Sequence, residues 1–310
     1  MKPSLLLLAR LPEPLGARLR ERFDCHVFSE CDSAALQSLA PTLRGMVATG
    51  ESVVSRELLE RLPALEIIAV LGVGYDGIDV DAARARGICV THTPGLSTDD
   101  IADFAMALLL SAARQVVSAD RYVRRGAWPA GRHPMTRSVS GARLGIVGLG
   151  RIGSAVARRA LGFGMDIAYT GRAPKADVAY RWCSDVLTLA ASVDFLVVCA
   201  SGGAATRGLI NAAVLAALGP SGVLVNVARG SIVDEPALVE ALRERSILAA
   251  GLDVFCHEPQ LPAELLALDN VVLTPHMAST TDATVLAMLD LVFANLAAHF
   301  DGLPVLSPVG

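Results

Sequence analysis

A basic excess, long charged runs and paired Cys-x-x-Cys spacing are all missing from this chain, and each absence narrows what it does. The formal charge of −4 over 310 residues leaves no positive surface for a polyphosphate backbone, which argues against nucleic acid as the main partner. No run of like charges reads as an interaction tail. The apolar stretch near the N-terminus, Leu5-Leu6-Leu7-Leu8-Ala9, stops at Arg10. It is too short for a secretory core and far too short for a membrane span, and reads as a buried strand. A cytoplasmic protein with no membrane partner is expected. The six cysteines, Cys25, Cys31, Cys89, Cys183, Cys199 and Cys256, are scattered through mostly apolar surroundings. They read as reduced core thiols, and no metal site is expected.

What is present is a large apolar fraction, 53%, with 27 glycines. A chain of this length exceeds the usual single core, so two domains are expected. The organising stretch is Gly148-Leu149-Gly150-Arg151-Ile152-Gly153, which follows the apolar run Leu144-Gly145-Ile146-Val147 and leads into small and apolar residues at helical spacing. In this strand–turn–helix context Gly148 permits the turn and Gly150 lets backbone N–H groups approach a pyrophosphate. Gly153 lets the helix pack closely on the strand. The helix N-terminus then faces the anion.

Upstream of this motif, short apolar runs at 5–8, 25–28, 45–48, 67–70 and 88–91 alternate with helical patterns at 14–22, 33–39, 56–62 and 80–85. That is the pattern of an open, flavodoxin-like parallel sheet. Within it, residues 71–79 (Leu-Gly-Val-Gly-Tyr-Asp-Gly-Ile-Asp) read equally as a seat for a carboxylate, built from successive N–H groups, or as a plain glycine-rich connection. Thr93-Pro94-Gly95 reads as a crossover between domains. A long helix over 98–125 should follow, apolar enough to need cover on more than one side, as a partner subunit would supply. Residues 126–140 then read as an arm outside the cores, with Trp128 as a candidate interface anchor.

A second α/β series starts near Gly141. Its second strand, 166–170, ends in Thr170-Gly171-Arg172 rather than in the acidic residue that hydrogen-bonds a ribose 2′-OH. The missing carboxylate and the available guanidinium favour NADP(H) over NAD(H). Further strands at 193–199, 222–227 and 248–252 deliver Ala200, Val227-Ala228-Arg229 and Asp253 to their carboxyl ends, where ligands of open parallel sheets bind. Reduction of a 2-oxo acid needs a cation for the developing oxygen charge and a proton donor titrating near neutrality. Arg229 suits the first need, with His276 or His257 for the second and Glu258 as the carboxylate that would hold a protonated ring.

In order and spacing, the fingerprint Gly148–153, Asn226-Val227-Ala228-Arg229-Gly230, Gly251-Leu252-Asp253-Val254-Phe255 with Glu258-Pro259, and Thr274-Pro275-His276 resemble the signatures of the D-isomer-specific 2-hydroxyacid dehydrogenases. Residues 71–79 and 99–128 look most like the NADPH-dependent hydroxypyruvate/glyoxylate and hydroxyphenylpyruvate reductase branch. The resemblance implies two doubly wound α/β domains: a Rossmann dinucleotide-binding domain at 94–283, inserted in a flavodoxin-like catalytic domain made of 1–93 and 284–310. It puts the substrate-binding arginine on Arg229, the orienting glutamate on Glu258 and the acid/base histidine on His276. The substrate-carboxylate loop falls on Val73 and Gly74. Asp253 matches a residue near the nicotinamide amide, and Thr206 falls in a loop on the phosphate side. Gly171, Arg172, Ala200, Val227, Ala228 and Ala278 complete the implied cofactor contacts. Helix 98–125 and the Trp128 arm match a dimerisation region.

Two departures stand out. His276-Met277-Ala278-Ser279 replaces the usual His-x-Gly-Ser, and Ser201-Gly202-Gly203-Ala204-Ala205 replaces a more proline-rich loop. The expectation is an NADPH-preferring reductase of glyoxylate- or hydroxypyruvate-like acids, giving D-2-hydroxy acids. The alternatives are an arylpyruvate or 3-phosphoglycerate enzyme, the last disfavoured by the acidic Thr49-Gly50-Glu51-Ser52, and an NAD(H)-sensing corepressor-like regulator.

Overall fold

The computed structural model describes residues 2–310; Met1, where the expected first domain begins, lies outside the described residues. The chain divides into two compact units, Met1–Ser97 with Thr281–Gly310, and Thr98–Thr280. The expected boundaries lay at 93/94 and 283/284.

In the first unit strands and helices alternate: β1 (Ser4–Leu7), α1 (Glu13–Arg22), β2 (Asp24–Val27), α2 (Ser33–Leu39), β3 (Leu43–Thr49), α3 (Arg56–Glu60), β4 (Ile67–Leu71), α4 (Val80–Ala85) and β5 (Cys89–Thr91). The strands pair in parallel in the order β2-β1-β3-β4-β5, which is the flavodoxin-like winding. A parallel sheet is covered on both faces, so its strands are apolar throughout rather than alternating. Leu6, Met46 and Ile68 fill one face, and Leu5, Leu7, Val47 and Ile67 the other, against Leu15 and Leu19 of α1. The C-terminal helix Asp282–Phe300 has the length and apolarity to cross a bilayer. Here its Leu289, Val292 and Leu296 are buried in that second face.

The second unit opens with α5 (Thr98–Ala113) and α6 (Val116–Arg124). It continues through β6 (Arg143–Val147), α7 (Arg151–Leu161), β7 (Asp166–Thr170), β8 (Arg181–Cys183), α8 (Val186–Ala190), β9 (Phe195–Val198), α9 (Ala212–Leu218), β10 (Val223–Asn226), α10 (Glu235–Arg243), β11 (Ala249–Leu252), α11 (Ala263–Leu266) and β12 (Val271–Leu273). The sheet runs β12-β11-β10-β9-β6-β7-β8, parallel throughout. This is the Rossmann order with one added edge strand, and its direction of winding reverses between β6 and β9.

The single helix expected over 98–125 is corrected to two. Gln115 takes a left-handed conformation, φ 52°, which an α-helix cannot pass through, and α5 and α6 meet at a 58° bend. Ile101, Ala105, Leu108, Leu109 and Ala112 of α5 are buried within its own unit, where Leu108 lies against Gly251 of β11. The apolar side chains left open are on α6 and the arm: Val116, Val117, Val123, Trp128 and Met135.

Asp194, just before β9, ties the arm to this unit. It accepts from Arg137 at 2.8 Å, from the Arg143 guanidinium at 2.9 and 3.0 Å, and from the Arg143 N–H at 2.9 Å. The Arg143 hydrogen bonds hold its carboxyl at about 2 against the opposing effect of burial. A lowered carboxyl pKa adds stability above the unfolded value of about 4, and that stability is lost as pH falls toward 2. Asp194→Asn is therefore expected to cost about 2 kcal/mol at neutral pH, read as a lower urea midpoint. The gap to wild type should close in acid, and a gap that persists there would refute this account.

Candidate active site

Several helices of the second unit start with a side-chain cap: Asp185 for α8, Asn211 for α9 and Asp234 for α10 each accept N–H groups of the first turn. α7 does not. Its cap position is Gly150, no side chain accepts its leading N–H groups, and Arg151 stands where an acidic residue would favour the helix dipole. A cation at that end is unfavourable unless an anion joins it. The turn leading there is dictated by glycine. Gly148 has φ +93°, and a Cβ on it would stand 2.7 Å from Cα of Ala200, two residues beyond β9 at the winding reversal. A Cβ on Gly153 would stand 2.2 Å from Gly148 O, whereas one on Gly150 would meet nothing. The cradle is thus closed by backbone on two sides and open on the third, at uncapped N–H groups. It fits the pyrophosphate of a dinucleotide, with Arg151 and Ile152 in the first turn of α7.

The end of β7 lies beside this cradle, with the Gly148 N–H donating to Thr170 O at 2.9 Å. Gly171 and Arg172 follow it and are exposed. On the other side, Thr206 donates its hydroxyl to Ser201 O at 2.8 Å, closing the small loop that replaces the proline-rich one.

Three strand ends of the same unit carry the titratable residues. At the end of β10, Asn226, 1% exposed, closes the turn: its Oδ1 accepts the Ala228 N–H at 3.1 Å and its Nδ2 donates to Arg229 O at 2.9 Å. Val227 is buried, Ala228 and Arg229 are half-buried, and Arg229 donates to Ala228 O at 2.8 Å. After β11, Glu258 takes the Phe255 N–H on one oxygen and His276 Nδ1 on the other, both at 2.7 Å. Burial raises its pKa. The hydrogen bonds from His276 and Phe255 and the charges of His276 and Arg229 outweigh that and hold it below the usual carboxylate range. Arg229, Glu258 and His276 therefore share one electrostatic environment. His257 is exposed and its ring makes no hydrogen bond among the described residues, which leaves His276 as the histidine of the site.

His276 itself has φ 51°, a conformation that costs a non-glycine residue about 1 kcal/mol or more. Asp253 holds it there. Its backbone oxygen accepts the His276 N–H at 2.8 Å, and its carboxylate accepts Thr274 Oγ1 at 2.7 Å, Met277 N at 2.9 Å and Ala278 N at 2.8 Å. Asp253 is 1% exposed, so its visible work is to fix the histidine's segment. Ala278 is buried and absent from the positive-φ residues, so the methyl that replaces the usual glycine hydrogen strains no backbone. Sequence reasoning assigned no role to Asn226 or to Glu235, whose Oε2 takes the Cys256 N–H at 3.2 Å. Glu235 is buried at the start of α10, which only the fold reveals.

In the first unit, the loop after β4 is held through Gly72 and Thr93, which bond each other through Thr93 N to Gly72 O (2.9 Å) and Gly72 N to Thr93 Oγ1 (3.1 Å). His92 Nδ1 lies 2.9 Å from Val73 O. Among the described residues nothing accepts the N–H groups of Val73 and Gly74, as a carboxylate seat requires.

Residues 106–278 match the sequence profile of the D-isomer specific 2-hydroxyacid dehydrogenase NAD binding domain. This chain belongs to that family. Among its relatives is a hydroxyphenylpyruvate reductase of Plectranthus scutellarioides, 43% identical over 99% of this chain and 98% of that one. A 2-ketogluconate reductase of Gluconobacter oxydans is 41% identical over 99% of each. Among solved structures, the NADPH-dependent glyoxylate/hydroxypyruvate reductase of Sinorhizobium meliloti, in complex with NADP and malonate, superposes with a TM-score of 0.94 at 42% identity. That alignment covers 100% of this chain and 97% of the other. As a 2-hydroxyacid dehydrogenase family member this chain is an NAD(P)-dependent oxidoreductase with a nicotinamide dinucleotide as cofactor.

Proposed function

We propose that this protein is an NADPH-preferring reductase of small 2-oxo acids of the glyoxylate or hydroxypyruvate type, forming D-2-hydroxy acids. The observation that carries the reading is the 2.7 Å pair between His276 Nδ1 and Glu258, within the electrostatic reach of Arg229. When bound, the reduced dinucleotide supplies the hydride that adds to the keto carbon. Gly148, Gly150, Arg151, Ile152 and Gly153 would hold its pyrophosphate and Arg172 its 2′-phosphate. The guanidinium of Arg229 binds the substrate carbonyl and carboxylate and stabilises the charge that grows on oxygen. With Nδ1 bound to Glu258, His276 offers its Nε2 proton to that oxygen, completing the hydroxyl. Val73 and Gly74 are the proposed carboxylate-binding amides. The NADPH reading draws on Arg172 in place of an acidic residue and on the NADP complex of the Sinorhizobium meliloti relative. NAD(H) stands as a second, weaker cofactor.

A second copy of the chain is the proposed cover for Val117, Val123, Trp128 and Met135, and the cytoplasm the proposed compartment. The test is kcat/KM for glyoxylate, hydroxypyruvate, hydroxyphenylpyruvate and 2-ketogluconate with NADPH and with NADH, on protein whose mass is read by light scattering. The first two acids with NADPH should lead by about tenfold or more, and the mass should be a dimer's. Dinucleotide binding without turnover of any acid would replace this reading with that of a nucleotide-sensing regulator.

A further inference from the structure

The loop that carries Arg172 is fastened from beneath. Tyr169, the next-to-last residue of β7, is 2% exposed, with its ring in the core beneath α7. A phenol buried this deeply needs a partner for its hydroxyl. The partner is the main chain of the loop itself: Lys175 N–H donates to Tyr169 Oη at 2.6 Å. Pro174 fixes φ one residue earlier, and Val178 packs against the same core. The segment between β7 and β8 therefore folds back over the Tyr169 ring rather than trailing into solvent.

Two cations ride on this fold-back. Arg172 and Lys175 are exposed, and neither has an ion-pair partner among the described residues, Asp177 of the same loop included. In a sheet of this winding the ribose of a dinucleotide lies at the end of the second strand, which is the end of β7.

We propose that Tyr169 is a positioning residue for cofactor choice. Its hydroxyl, through the Lys175 N–H, holds the Gly171-to-Lys175 loop so that Arg172 and Lys175 form one two-cation seat for a ribose 2′-phosphate. This rests on the NADPH reading above and deepens it. A seat made of two long side chains binds a doubly charged phosphate well only if their backbones are already in place. A single net hydrogen bond is worth about fivefold to tenfold in such an equilibrium.

The test uses fragments that isolate the seat. Dissociation constants for adenosine 2′,5′-bisphosphate and for 5′-AMP are measured by calorimetry on the wild-type protein and on Tyr169→Phe, Lys175→Ala and Arg172→Ala. Wild type should prefer the bisphosphate. Tyr169→Phe should weaken the bisphosphate about fivefold to tenfold and leave 5′-AMP within about twofold, and Lys175→Ala should show the same split. The amides of residues 171–175 should exchange faster in Tyr169→Phe, whose circular dichroism and melting confirm that it is folded. If Tyr169→Phe leaves the ratio of the two constants unchanged while Arg172→Ala collapses it, the clamp is refuted and the NADPH reading stands. If wild type binds both fragments alike, or Arg172→Ala leaves the ratio unchanged, the NADPH reading fails and the clamp fails with it.

Discussion

His276→Asn is expected to lower kcat for 2-oxo acid reduction by about 10²- to 10⁴-fold with little change in dinucleotide affinity. Asparagine is the informative replacement because it tolerates the left-handed backbone at φ 51° better than most residues. The segment held by Asp253 then survives while the proton donor is lost. The companion variant is Glu258→Gln. The Glu258 carboxylate is held below its ordinary range by His276 and Arg229 once burial is overcome, so at neutral pH it stands as an anion facing Nδ1. An anion there favours the imidazolium, the form that donates the proton. Reduction fails as pH rises and the ring loses its charge, and removing the anion should move that limb of kcat/KM to lower pH. The stability side has the opposite sense. A depressed carboxyl contributes above its unfolded value of about 4.3 and loses the contribution as pH falls through its lower folded value. His257→Asn, which touches an exposed ring, should leave the rate within about twofold. A pH profile unmoved by Glu258→Gln, or a His276→Asn enzyme within about tenfold of wild type, would remove the acid–base assignment from this pair.

The two sheets were legible because parallel strands buried on both faces advertise themselves as short continuous apolar runs. Residues 67–70 and 195–198 are such runs, and both are strands in the structure. The glycine fingerprint was legible for a similar reason: two of its positions, Gly148 and Gly153, leave no other residue both a turn and a close helix. The bend at Gln115 was not legible. Nothing in Ala113-Arg114-Gln115-Val116 breaks helical periodicity, and the left-handed residue there is neither glycine nor asparagine. β8 was missed because Arg181-Trp182-Cys183 is a three-residue edge strand in which Arg181 and Trp182 are exposed and only Cys183 is buried. Its only signature is pairing to β7, which sequence pattern does not carry. In the site, His276 and Glu258 are far enough apart in the chain that only the parallel crossovers bring β11 and β12 side by side. The sequence therefore left His257 and His276 as rivals. Tyr169 drew no reading from the sequence, since the partner of its hydroxyl is a backbone group that any residue at 175 except proline would provide.

Gly230 and Gly150 should respond to the same added methyl in opposite ways, and the contrast separates what the fold needs from what the ligand needs. Gly230 follows Arg229, and a Cβ on it would stand 1.9 Å from the carbonyl carbon of Phe255 and 2.4 Å from Cys256 N. Both are backbone atoms in the turn that delivers Glu258, so no rotamer change relieves the overlap. Gly230→Ala must push the Arg229 turn away from the Glu258 turn. The expected cost is about 3 kcal/mol of stability, together with a fall of about 10²-fold in kcat/KM, since a shift near 1 Å between groups that act on one substrate has that effect. Gly150→Ala meets no atom of the chain within 4 Å, and its φ of −80° suits any residue. Its stability should stay within about 0.5 kcal/mol of wild type, while dinucleotide affinity drops because the methyl fills the open side of the cradle. Urea denaturation and calorimetric titration with the dinucleotide read both variants. A Gly230→Ala protein as stable as wild type would mean that the two turns are not in backbone contact. A Gly150→Ala protein with undiminished dinucleotide affinity would mean that the uncapped start of α7 is not where the pyrophosphate rests.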